Sequence, residues 1–196
     1  SILLVLSSDH EIKNNKNFVE VLNEGINYAK KNKLVTFGVI PNNPETGYGY
    51  IKANKEFNLP QIEGHQIEEF TEKPTYQKAC ELIKDKRYTW NSGMFLFKAE
   101  KVIKELNTFC PTILDCCNKS LINSNKDLEF QRLNKIDFEK CPNMSFDVAV
   151  MEKTKEGIVL PLNAGWSDIG SWKSVWDNSK KDENNNFTEG NNIFIN

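Results

Sequence analysis

Two aspartates stand where a chain can offer carboxylates to a metal ion. Asp9 lies in the stretch Leu4–His10 (LVLSSDH), just past an apolar run. Asp168 lies in the glycine- and tryptophan-rich segment Ala164–Trp172 (AGWSDIGSW), near the other end of the chain. Two carboxylates brought to one point by a sheet are a donor set for magnesium. That ion takes oxygen ligands and is usually held by one or two carboxylates, with water and substrate phosphates completing its shell. Asp9 fits a competing role equally well, as the cap of a helix following its strand.

Between the two aspartates lie further side chains with chemical capacity. Gly47 and Gly49, in Thr46–Ile51 (TGYGYI), allow a backbone to approach a ligand closely, or simply make a turn. Phe70–Pro74 (FTEKP) sets Glu72 and Lys73 before a proline. The proline biases Lys73 toward an extended conformation. A lysine held there offers a point charge to a phosphate; the competing reading is a solvated Glu–Lys pair. Asn91, in Trp90–Phe95 (WNSGMF), precedes a strand-like run and can both donate and accept, which suits a sugar hydroxyl. An ordinary turn is the alternative. The chain contains neither G-x-x-x-x-G-K-S/T nor G-x-G-x-x-G.

The elements that must position these groups follow from periodicity. Ile2–Leu6 and Leu34–Ile40 are continuous apolar runs, the pattern of strands buried on both faces. Phe18, Leu22, Ile26 and Ala29 recur at helical spacing between them, with Asn14 or Asn15 as cap. Strand, helix, strand predicts an α/β fold with a mainly parallel central sheet, helices on both faces and Ile2–Leu6 in its interior. Its ligands are expected outside the carboxyl ends of the strands. Shorter strands are expected at 50–53, 65–70, 94–97 and 157–162, and helices at 76–86, 99–109, 111–123, 145–153 and 171–178. Residues 1–178 read as one domain and 179–196, polar and asparagine-rich, as a linker or the start of a further segment.

Composition bounds the function. Of 196 residues, 39% are hydrophobic and 27% charged, enough for a globular core. A net charge of −2 gives no broad attraction to nucleic acid. No apolar run reaches membrane-spanning length, and no signal peptide, membrane partner or nucleic-acid partner is expected. Five cysteines without a C-x-x-C, and only His10 and His65, argue against zinc and for reduced thiols in the cytoplasm.

Asp9, Gly47–Gly49, Glu72–Pro74, Asn91–Gly93 and Trp166–Asp168, in that order, resemble the sugar-1-phosphate nucleotidylyltransferases. The resemblance runs from Ile2 to Trp176. TGYGYI, Ala149–Thr154 (AVMEKT) and WSDIGSW are most like the bacterial mannose-1-phosphate guanylyltransferase branch, many of whose members carry a C-terminal phosphomannose isomerase domain. The resemblance implies a Rossmann-like nucleotidyltransferase fold. It also implies transfer of GMP from GTP to mannose 1-phosphate, with Mg2+ as cofactor and a homo-oligomer as the assembly. Asp9 and Asp168 would hold the metal, and Lys73 would contact the sugar phosphate. Gly47, Glu72 and Asn91 would hold sugar hydroxyls, with Asp147 and Glu152 shaping the sugar side.

Two departures from the family pattern are mild: Ser7 stands for a usual proline and Thr71 for a common valine. A third is larger. The family's glycine-rich loop, bearing an arginine and a lysine, is not matched, and the only arginines are Arg87 and Arg132. The expectation is that this loop precedes Ser1 and that the chain alone is inactive. Other readings are a nucleotidylyltransferase for another sugar or base, or a sugar-nucleotide-binding regulatory protein without turnover.

Overall fold

A computed structural model describes residues 1–191. Its main sheet has six strands: β1 (Ile2–Val5), β3 (Leu34–Val39), β4 (Tyr50–Ala53), β5 (His65–Thr71), β6 (Tyr88–Lys98) and β9 (Gly157–Leu162). Their order is β1-β6-β3-β9-β5-β4, and β6 also pairs with β4, closing five of the strands into a ring. A separate ribbon pairs β2 (Glu11–Ile12) with β10 (Trp166–Ser167). A small hairpin joins β7 (Asn125–Asp127) to β8 (Phe130–Arg132).

The sheet is mixed, which corrects the expectation of a mainly parallel one. Only β3 and β9 run parallel; β6 opposes β1, β3 and β4, and β5 opposes β4 and β9. Parallel neighbours need a long crossover. Here β3, β4 and β5 follow one another through loops that contain no helix. The short links therefore turn the chain back on itself.

The interior placement of Ile2–Leu6 is also corrected. β1 lies at the edge of the sheet with β6 as its pairing strand, and Leu3, Leu4, Val5 and Leu6 stay 37–48% exposed. Unbroken apolarity does signal a strand, but it cannot say whether both flanks are covered. β3 and β9, equally apolar, are buried at every position.

Helices lie on both faces, as expected. α1 (Asn15–Lys30), capped by the Asn14 side chain accepting from the Asn17 N–H, sets Phe18, Val21, Leu22, Ile26 and Ala29 against Val35, Phe37, Leu96 and Leu160. α2 (Tyr76–Leu82) joins the same face through Ala79 and Leu82. The opposite face buries Leu34, Phe95 and Phe97 beneath Val102 and Leu106 of α3 (Ala99–Phe109) and Ile113 of α4 (Pro111–Ile122). Alternate residues of β3 and β6 thus feed two cores, the period-two signature of a strand covered on both sides. Residues 124–138, unassigned from sequence, form the β7–β8 hairpin and α5 (Lys135–Phe138). The turn expected as a helix at 145–153 is a π-helical turn, Asp147–Met151. Ser171 caps α6 (Trp172–Asn178). The expected linker 179–196 lies partly outside the described residues.

Candidate functional site

The β2–β10 ribbon fixes where the two aspartates go. Ser167 stands opposite Glu11 and Trp166 opposite Ile12 in antiparallel register. Asp168 therefore leaves β10 at the end where Asp9 and His10 enter β2. The expected meeting place was the main sheet's carboxyl edge; the strands next to the two aspartates belong instead to this separate ribbon. Asp9 does not cap α1, because Asn14 does. Its side chain is 82% exposed, with Oδ1 4.0 Å from His10 Nε2.

Asp168 is held from one side. Its Oδ1 accepts from the Tyr48 hydroxyl at 2.8 Å and from the Gly170 N–H at 3.1 Å. Burial and the neighbouring Asp168 carboxylate push the Tyr48 pKa up, so this hydroxyl keeps its proton and remains a donor. The Tyr48 ring meets Trp90 and Trp166 edge-on, each at 5.3 Å between centroids. Trp166 Nε1–H donates in turn to His10 Nδ1 at 3.2 Å. Asp168 and Tyr48 line a cavity of about 230 Å³ with Asn43, Glu45, Gly47 and Lys173. Larger hollows lie elsewhere, but one of about 680 Å³ is walled by Lys52, Glu69 and their neighbours, and those two already pair with each other.

The sugar-side candidates gather around Asn91. It sits within β6, not before a strand as its sequence suggested. β6 bulges at Ser92–Met94, where two residues of β3, Thr36 and Gly38, span the interval from Phe95 to Asn91. Gly93, at φ +68°, makes the bulge possible. Asn91 Nδ2 donates to Asp147 Oδ1 at 3.0 Å, while its Oδ1 accepts from Gly93 N–H at 3.2 Å and faces the Thr36 hydroxyl at 3.3 Å. Burial raises the Asp147 pKa, and the negative charges of Glu72 and Glu152 push it further, against the Asn91 hydrogen bond.

The TGYGY loop joins the two groups. Tyr48 holds Asp168, whereas a Cβ on Gly49 would lie 2.8 Å from Glu72 Oε2. Gly49 is thus the glycine of close approach; Gly47 faces open space on the Asp168 cavity. Lys73 Nζ lies 3.7 Å from Glu72 Oε1 and is largely exposed. Its backbone corrects the extended conformation expected before Pro74: φ is +40°. Ile169, next to Asp168, is at φ +50°. Positive φ strains a non-glycine residue, and a β-branched one most. Both strained residues sit beside candidate ligands.

Sequence reasoning missed Tyr48, Trp166 and His10 as the groups that hold this site. A tyrosine between two glycines, and a tryptophan two residues before an aspartate, were the available signals.

Among the described residues no group of three or more His, Cys, Asp or Glu converges on a metal position. Two carboxylates leaving one ribbon end nonetheless suit a hard, oxygen-seeking cation whose other ligands are water and phosphate. Carboxylate oxygens are the ligand type that magnesium takes, whereas zinc favours nitrogen and sulfur.

The chain matches the family described as "Nucleotidyl transferase" over residues 1–185. It is 43% identical over 189 residues to the protein named "Mannose-1-phosphate guanylyltransferase" of Salmonella muenchen, covering 96% of this chain and 39% of that protein. Two solved structures are similar in fold. The mannose-6-phosphate isomerase from Helicobacter pylori aligns with a TM-score of 0.75 at 33% identity, covering 85% of this chain and 63% of that one. A structure titled as a mannose-1-phosphate geranyltransferase from Thermus thermophilus aligns with a TM-score of 0.75 at 29% identity, covering 90% and 49%. The chain therefore spans about two fifths of the curated relative's length. With the family matched over almost all of its residues, the chain belongs to the nucleotidyl transferases.

Proposed function

We propose that the chain is the catalytic part of an enzyme that transfers GMP from GTP to mannose 1-phosphate, giving GDP-mannose and pyrophosphate. The observation that carries this reading is the TGYGY loop. It sets Tyr48 on Asp168 and Gly49 against Glu72, which supports reading the Asp168 end as the phosphate–metal side and the Glu72 end as the sugar side. The Salmonella relative's name supports the choice of substrates.

In this reading an oxygen of the sugar phosphate attacks the α-phosphorus of GTP. The bond from that phosphorus to the bridging oxygen breaks, and its electron pair leaves with pyrophosphate. Magnesium, when bound, would neutralise charge on the phosphates and hold them in line. Asp9 and Asp168 would hold it. Lys73 places a point charge on the phosphate of mannose 1-phosphate, and Glu72 and Asn91 orient the sugar hydroxyls beside the Gly47–Gly49 backbone. Asp147 holds the Asn91 amide at 3.0 Å. The protein supplies position and charge and forms no covalent bond. The proposal includes a homo-oligomer, read by light scattering, and a cytoplasmic location. No helix among the described residues is long and apolar enough to cross a membrane.

The test is incubation of the full-length protein that contains this chain with GTP, mannose 1-phosphate and Mg2+, with GDP-mannose and pyrophosphate followed by phosphorus NMR. Product from another sugar or base in preference would replace the substrates. Tight binding of GDP-mannose without turnover would favour a regulatory protein.

A further inference from the structure

We infer that Tyr48 is a positioning residue for Asp168, an assignment that rests on the metal-binding reading of that aspartate. Asp168 itself follows a two-residue strand and precedes Ile169 at positive φ, and its local backbone gives its carboxylate one donor, the Gly170 N–H at 3.1 Å from Oδ1. The second and shorter hold on that carboxylate comes from a distant part of the chain. The Tyr48 hydroxyl donates to Oδ1 at 2.8 Å, and Asp168 and Tyr48 both line the cavity.

The tyrosine is rigid enough for the task. Its ring is wedged between Trp90 and Trp166, at 5.3 Å from each. Edge-on aromatic pairs at such distances are favourable. Trp90 belongs to the central strand β6 and is buried. Trp166 is pinned by its own hydrogen bond to His10 Nδ1 and an edge-on contact with that ring at 5.3 Å. Tyr48 is also fixed along the chain, because Gly49 O accepts from Asn91 N–H at 2.7 Å. The hydroxyl therefore comes from a braced frame, as an outer partner that orients a metal-binding carboxylate must.

The experiment compares the full chain with its Tyr48→Phe and Asp168→Asn variants, titrating Mn2+ alone and reading the free ion by electron paramagnetic resonance. Tyr48→Phe removes one oxygen and keeps the ring in its slot; circular dichroism and the melting temperature verify the fold. The expected result is Mn2+ binding weakened about tenfold by Tyr48→Phe, and more by Asp168→Asn. In turnover, Tyr48→Phe is expected to raise the magnesium needed for half-activation by a similar factor while the KM for mannose 1-phosphate stays unchanged. Parental Mn2+ affinity in Tyr48→Phe, with loss in Asp168→Asn, overturns the positioning role and leaves the metal reading standing. Parental affinity in both variants overturns both.

Discussion

Asp168 and Asp147 are the same residue prepared in opposite ways. Asp168 hangs off a short ribbon, touched by an O–H and an N–H donor on one oxygen and open to a cavity. Asp147 sits on a π-helical turn whose Ala149, Val150 and Met151 anchor in the second core, with one amide donor and two negatively charged neighbours. A carboxylate with oriented donors and an open side can receive a cation. One buried among like charges is suited to a hydrogen-bond network of neutral groups. The difference comes from surroundings alone, and in the proposed reading it separates the phosphate side from the sugar side.

The sharpest way to break this contrast is Asp168→Asn. The amide keeps the size of the side chain but gives up the charge, and metal stabilisation of developing phosphate charge is worth several kcal/mol. Turnover of the full-length enzyme is expected to fall by about a hundredfold or more, with an unchanged circular dichroism spectrum. Near-parental turnover at saturating Mg2+ would remove Asp168 from the reaction. Next in size is Lys73→Ala, which removes a charged hydrogen-bond donor worth about 1.5–3 kcal/mol. The expected loss is in kcat/KM for mannose 1-phosphate, with the KM for GTP little changed. The reverse pattern would exchange the two substrates between the two sides.

Sequence carried the local elements of this molecule further than their assembly. The Asn14 cap, the apolar stripe of α1 and the bounds of β9 follow from side-chain chemistry within a few residues. Strand direction and edge position do not, because they depend on which distant segment lies alongside. Leu34–Val39 and Ile2–Val5 are similar in composition, yet one lies between β6 and β9 and the other has β6 alone. The candidate site divides the same way. Asp9, Glu72, Lys73, Asn91 and Asp168 were legible as residue types in a family order. The contacts that hold them, Tyr48 to Asp168 across 120 positions and Trp166 to His10 across 156, were not. Lys73 shows a further limit: the proline after it indicated extended backbone, and the tertiary fold imposes a left-handed φ instead.

The smallest expected effect tests the Asp147 side of the comparison and concerns stability. Burial, reinforced by Glu72 and Glu152, raises the carboxyl pKa of Asp147 in the folded protein above its unfolded value. The folded state then holds a proton that the unfolded state has released. The favourable contribution is fully present below the unfolded pKa, near 3.9 for an ordinary aspartate, and is lost as pH rises through the folded value. At neutral pH the charge of half-buried Asp147 then disfavours the folded state. Asp147→Asn removes that charge and retains an acceptor for the Asn91 amide, now 3.0 Å from Oδ1. The variant is therefore expected to melt at a slightly higher temperature than the parent at pH 7, with the gain shrinking as pH is lowered toward the ordinary aspartate range. Denaturation curves at pH 7 and at about pH 4 measure it. A variant less stable than the parent at pH 7, with the deficit growing as pH rises, would mean that the negative charge of Asp147 is favourable in the folded protein. Asp147 and Asp168 would then be two carboxylates prepared alike, and the division of the cleft drawn from their surroundings would fail.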